Sequence, residues 1–157
     1  MLRRRVGEAD VVVLAASWSQ WSAELLPETL QQLASDPKRR VFVVGPKSIG
    51  DINVRNLLQR PLAERVQERQ PVAAGTIEME RSLAAELPEN TYVSMQAAVC
   101  GTGPTCRLFT PQGDLISFDG WHLTRAGAAY AGRNLFDAPP LSALAAPKRV
   151  NVMRSAN

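Results

Sequence analysis

Two kinds of apolar run alternate along this chain. Asp10 to Ala16 (DVVVLAA) is continuous and β-branched, which predicts a strand buried on both faces of a parallel sheet. Arg40 to Val44 (RVFVV) predicts a second such strand, closed by Gly45-Pro46, and Thr91 to Val99 a third, entered through Pro88-Glu89-Asn90. Between them the apolar positions take helical spacing. A helix starting near Pro27 buries Leu26, Leu30 and Leu33 before Asp36-Pro37 stops it, and helical material is expected at Val54 to Leu58, Pro61 to Gln70 and Ile77 to Leu87. Arg107 to Phe109 and Leu115 to Phe118 predict a hairpin across Pro111-Gln112-Gly113. Thr124 then caps a closing helix that contains Ala126, Ala128, Ala129 and Tyr130. This alternation predicts an α/β fold with a parallel sheet, in one domain over residues 1–137. Residues 138–157, Ala/Pro-rich and then basic, are expected to form a tail.

Ligands of such sheets sit outside the carboxyl ends of the strands. Ala15 to Trp18, Gly45 to Ser48 and Asp119 to His122 all fall at that edge. Trp18, Trp21 and Trp121 can equally be caps on the core.

Composition narrows the function classes. The 157 residues are 45% hydrophobic and 21% charged, enough for one real core. The net charge of +3 reflects Arg3, Arg4, Arg5, Lys148, Arg149 and Arg154 near the termini, with no interleaved aromatics, so no nucleic-acid face is expected. No apolar run approaches the ~20 residues of a bilayer span, and the basic start lacks the apolar region of a signal peptide. The chain as given is therefore expected to be soluble, without an export signal of its own.

Cys100 and Cys106 bracket a Gly/Pro loop, C-G-T-G-P-T-C. Two thiols without a second pair make a poor metal site, and none is expected. A disulfide closing the loop is favoured over free thiols, and it would put the domain in an oxidising compartment.

The chemistry concentrates in Asp114 to Gly127, DLISFDGWHLTRAG, which holds the one histidine of the chain. An Asp and a His on one tight turn can pair, Asp119 fixing the imidazole tautomer while the other ring nitrogen of His122 takes a proton from a nucleophile. A histidine capping a helix or filling a surface turn is the plain alternative.

Asp119-Gly120-Trp121-His122-Leu123-Thr124, followed by Gly127-Ala128, resembles the last catalytic block of the SGNH (GDSL-like) hydrolases. Within that superfamily the chain is similar to the SGNH domains fused behind membrane acyltransferases of the acyltransferase-three family, which O-acylate bacterial surface polysaccharides. The likeness rests on Leu14-Ala15-Ala16-Ser17-Trp18, the V-x-V-x-G-P strand of Val41 to Pro46, the Cys100–Cys106 loop, Gly113 and the D-x-x-H-L-T block, in that order over about residues 10 to 135. It implies a three-layer sandwich and acyl transfer through a serine ester, with His122 as base and Asp119 as its orienting partner. It implies no metal and no cofactor, a carbohydrate or acyl-ester substrate (the acyl group being acetyl), and an extracytoplasmic place behind a membrane acyltransferase domain. Ser17, Trp18 and Trp121 are the expected substrate-binding residues, the indoles serving as a stacking floor for a sugar.

The chain departs from that pattern at the nucleophile. The family's serine block follows the first strand, and Met1 to Ala9 contains no serine. The resemblance thus implies that the first strand and the nucleophile turn are missing. Ser17 and Ser48 are the internal substitutes at the right sheet edge, neither in a G-x-S-x-G elbow. The readings are an acyltransferase or esterase domain whose serine lies outside this chain, a non-catalytic glycan-binding module, and a structural domain with an accidental D-x-x-H. An exposed sheet edge also predicts a homodimer.

Overall fold

The computed structural model describes residues 6–145. Its elements are β1 (Val11–Ala15), α1 (Gln20–Glu24), α2 (Leu26–Leu33), β2 (Arg40–Val44), α3 (Val54–Leu58), α4 (Leu62–Arg65) and β3 (Arg69–Pro71). Then follow α5 (Ala74–Glu86), β4 (Tyr92–Val93), α6 (Met95–Cys100), β5 (Thr105–Arg107), α7 (Arg125–Asp137) and α8 (Ser142–Ala145).

The main sheet is parallel, with β2 between β1 and β4. β2 takes the centre because both its faces are apolar. Val43 points into a cluster with Leu26 and Leu30 of α2 and with Leu83 and Leu87 at the end of α5, while Phe42 and Val44 point the other way, onto Val93 and Leu141. Helices therefore cover both faces, giving an α/β sandwich of three layers. At about 25 cal/mol per Å² of buried apolar surface, each fully buried Val, Leu or Phe here stabilises the fold by roughly 1.5–3 kcal/mol before entropy is counted.

Several expectations need correction, three of them in the sheet and its connections. β1 is an edge strand, paired only with β2 among the described residues, and Val13 is 49% exposed, so the apolar run is not buried on both faces. The third strand stops after Tyr92–Val93, because the Ser94 side chain accepts the Ala97 N–H and starts α6 in what was expected to be strand. The helix expected over 61–70 ends at Arg65, and Arg69–Pro71 crosses to β5 as an antiparallel pair.

A second core lies under this small ribbon, joining Ile49, Val72, Val99, Leu108, Phe109 and Ile116 around a disulfide between Cys100 and Cys106. The expected hairpin is reduced to a bridge between Phe109 and Leu115, with Ile116 N–H donating to the Leu108 carbonyl. Residues 138–145, assigned to the tail on composition, include α8 and Leu141, which is 3% exposed in the core. Residues 146–157 and the basic positions at both termini lie outside the described residues.

Candidate active site

The turn that carries Asp119 and His122 is built by local hydrogen bonds. Ser117, fully buried, accepts the Gly120 N–H on its hydroxyl at 2.9 Å. One Asp119 oxygen, Oδ1, accepts the backbone N–H groups of Trp121 (2.9 Å) and His122 (2.7 Å). Its other oxygen, Oδ2, faces His122 Nδ1 at 2.6 Å. The His122 ring hydrogen bond, then the His122 backbone N–H, hold the Asp119 carboxyl well below the usual carboxylate range. An ionised carboxylate only accepts, so Nδ1 carries the proton and Nε2 is left as the acceptor. Phe118 stacks beside the ring, with centroids 6.0 Å apart and planes 11° from parallel.

The C-terminal end of the turn is fixed by the closing helix. The Thr124 hydroxyl accepts the Gly127 N–H at 3.0 Å and donates to the Leu115 carbonyl at 2.5 Å. Gly127 meets the Ile116 carbonyl where a Cβ would overlap it, so a glycine there lets α7 lie directly on the segment leading to Asp119.

From the other side, the loop after β2 holds the same turn. Ile49 N–H donates to the Gly120 carbonyl at 3.1 Å, and Lys47 Nζ donates to the Trp121 carbonyl. Gly120 has φ +85° and abuts the Gly50 carbonyl, a contact that any Cβ would break. This loop is clamped in turn by Gln96 of α6, which accepts the Ser48 N–H at 2.7 Å and donates to the Ser48 carbonyl at 3.1 Å. Burial lowers the Lys47 ammonium pKa, with Asp119 opposing the shift.

Together these segments wall a cleft of about 820 Å³. Ala15 to Trp18 at the end of β1, Val44 to Lys47 at the end of β2, the first turn of α5, Met95, Trp121 and His122 all line it. The three segments picked out by the sheet-edge argument thus meet at one cavity, and Ser17, Trp18, Trp121 and His122 all face it. Asp119 stands behind His122 and off the lining. Trp18 also serves the core: its indole N–H donates to the Val44 carbonyl at 2.7 Å, and its ring packs against the α2–α5 cluster. Trp21 is 70% exposed and lies away from the cleft lining.

Ser48 cannot act here, because it is 4% exposed and off the cleft lining. Ser17 is exposed on the lining, but among the described residues no serine hydrogen-bonds to His122. The disulfide cysteines are buried and lie off the cleft lining. Among the described residues no group of His, Cys, Asp and Glu is arranged to hold a metal, and no helix is long and apolar enough to cross a membrane.

Sequence reasoning missed Lys47 and Ser117. Lys47 lies within Gly45 to Ser48, the segment the rule for strand ends placed at the sheet edge, but nothing in the sequence singled it out there. Ser117, two residues before Asp119, had no signal beyond an apolar neighbourhood.

No curated protein and no solved structure matches the chain. The family described as the SGNH domain fused to AT3 domains matches residues 2–136, most of the chain. With an α/β sandwich and an Asp–His turn at the carboxyl edge of its sheet, the chain belongs to that family of hydrolase and acyltransferase-type domains.

Proposed function

We propose that this domain transfers an acyl group, acetyl in the simplest case, to or from a hydroxyl of a bacterial surface polysaccharide. His122 Nε2 takes the proton from a serine hydroxyl as that oxygen attacks the ester carbonyl, and returns it to the departing alcohol. Asp119 keeps Nδ1 protonated and stabilises the imidazolium that forms. A second alcohol, or water, then attacks the acyl-serine by the same proton path in reverse.

The observation that carries this reading is the ring bond at 2.6 Å, on a turn that places His122 at the lining of a cleft large enough for a sugar. Trp18 and Trp121 on the lining suit a pyranose face. In this reading the nucleophile comes from outside this chain, which is supported by the burial of Ser48 and by Ser17, though on the lining, making no hydrogen bond to His122. The edge of β1 left unpaired among the described residues, ending at the cleft, suits a strand that brings this serine in, or a second copy of the chain. Family membership supports a membrane acyltransferase domain in the same polypeptide and an extracytoplasmic location. An oxidising compartment fits the Cys100–Cys106 bond.

A glycan-binding module is the second reading, favoured by the lack of a serine hydrogen-bonded to His122 among the described residues. Replacing His122 with Ala in the fuller acyltransferase decides between them. Loss of acyl transfer with glycan binding retained supports the enzyme. Unchanged transfer rejects His122 as the base.

A further inference from the structure

The peptide unit between Trp121 and His122 is gripped at both ends. Its N–H donates to Asp119 Oδ1 at 2.7 Å, and its carbonyl accepts from Lys47, a residue 74 positions earlier in the chain. This peptide sets the direction in which the His122 side chain leaves the backbone. Other ties between the two loops run through the backbone alone: Ile49 N–H on the Gly120 carbonyl, and Gly120 against Gly50. Lys47 is the side chain among them. It also brings a positive charge to the neighbourhood of the Asp119 carboxylate.

We propose that Lys47 is a positioning residue for His122, holding the Trp121 carbonyl so that the imidazole meets Asp119 through Nδ1 and presents Nε2 to the cleft. A half-buried ammonium is an expensive way to occupy a loop position, and no carboxylate lines the cleft for it to pair with. Its place is instead explained by the carbonyl it fixes and the carboxylate behind that carbonyl. Two bonds on one peptide plane leave its orientation little freedom, whereas one bond would let it rock about the Asp119 contact. Misplacement of a catalytic group by ~1 Å costs on the order of a hundredfold in rate, so this restraint matters to the proton transfer. The chemical consequence rests on the base role given to His122 above, but the restraint itself is testable without it.

Because His122 is the one histidine of the chain, its ring nitrogens can be observed without ambiguity in a 15N-labelled sample. At pH 8 the unmodified chain should show the Nδ1–H tautomer. In Lys47→Met the two ring shifts should move toward each other as tautomers mix, and Lys47→Arg, which keeps a cationic donor, should restore them. Lys47→Gln gives a second uncharged variant should the methionine form fold poorly. A purely structural lysine would lower the melting temperature and leave the ring shifts unchanged; that result in a folded variant overturns the proposal. In the fuller acyltransferase, Lys47→Met should lower kcat about tenfold with KM little changed. If His122→Ala leaves activity intact, the base assignment fails while the ring-shift result still stands. If His122→Ala abolishes activity but Lys47→Met changes neither kcat nor ring shifts, the positioning role fails alone.

Discussion

Asp119 holds His122 twice, by the imidazole Nδ1 at 2.6 Å and by the backbone N–H at 2.7 Å, one carboxylate oxygen for each. Ring and main chain of the histidine are thus fixed by one side chain. Asp119→Asn separates the two tasks. The amide oxygen can still accept the backbone N–H groups, but its NH₂ faces Nδ1 and favours the wrong tautomer. We expect a chain that still folds, with a lower melting temperature at neutral pH, and, on the proposed base role of His122, an acyl transfer rate roughly 10³–10⁴-fold lower. Parallel measurement of melting and turnover checks this, and a variant of normal rate would contradict the tautomer argument.

Gly120 and Gly132 predict opposite outcomes for the same change. Gly120 sits at φ +85° against the Gly50 carbonyl, so Gly120→Ala should cost about 1–3 kcal/mol and disturb the Asp119–His122 turn. Gly132, inside α7, has open space around its Cα, so Gly132→Ala should stabilise by about 0.5–1 kcal/mol. Urea unfolding of both variants reads the difference in sign.

Two carboxyl groups set stability against pH in opposite directions. Asp119 titrates lower in the folded than in the unfolded chain. Its contribution is full above the ordinary Asp value of about 3.9 and is lost as pH falls toward the folded value. Burial raises the pKa of Glu80, against the hydrogen bonds that it accepts from Ser94 and Tyr92. Its contribution is full below the ordinary Glu value of about 4.3 and is lost as pH rises through the folded value. Glu80→Gln should therefore flatten the fall in melting temperature on the high side of pH 4, and Asp119→Asn the fall on the low side. A melting series from pH 3 to 7 on both variants tests the assignment.

The layers of the fold and the meeting of three loops at one edge were legible in the sequence, because buried parallel strands leave continuous apolar runs such as Arg40 to Val44. The Thr124 cap was legible for a local reason, a hydroxyl three residues before Gly127. What was not legible depended on partners distant in sequence. Val11 to Ala15 has the composition of a central strand, and only pairing shows it at an edge. Gln96 and Val99 look like strand residues until Ser94 starts a helix beneath them. Lys47 gave no local sign of its bond to Trp121, which exists only once the fold brings the two loops together.

The Cys100–Cys106 bond closes a short loop beside Gln96, the residue that clamps Ser48 and with it the loop carrying Lys47. Loop-closure entropy for so short a ring gives about 2 kcal/mol. Replacing both cysteines with Ser should lower stability by about that amount, plus the cost of two buried hydroxyls. Melting with and without reductant provides the check: the unmodified chain should respond to reductant and the double variant should not.

The most direct test of the Asp119–His122 account is fluorophosphonate labelling of the proposed fuller acyltransferase, followed by peptide mapping. The account predicts one labelled serine, outside this chain, whose labelling disappears in His122→Ala. Labelling of Ser17 that depends on His122 would put the nucleophile inside the chain instead. A labelled serine indifferent to His122 would contradict the assignment of this histidine as the base.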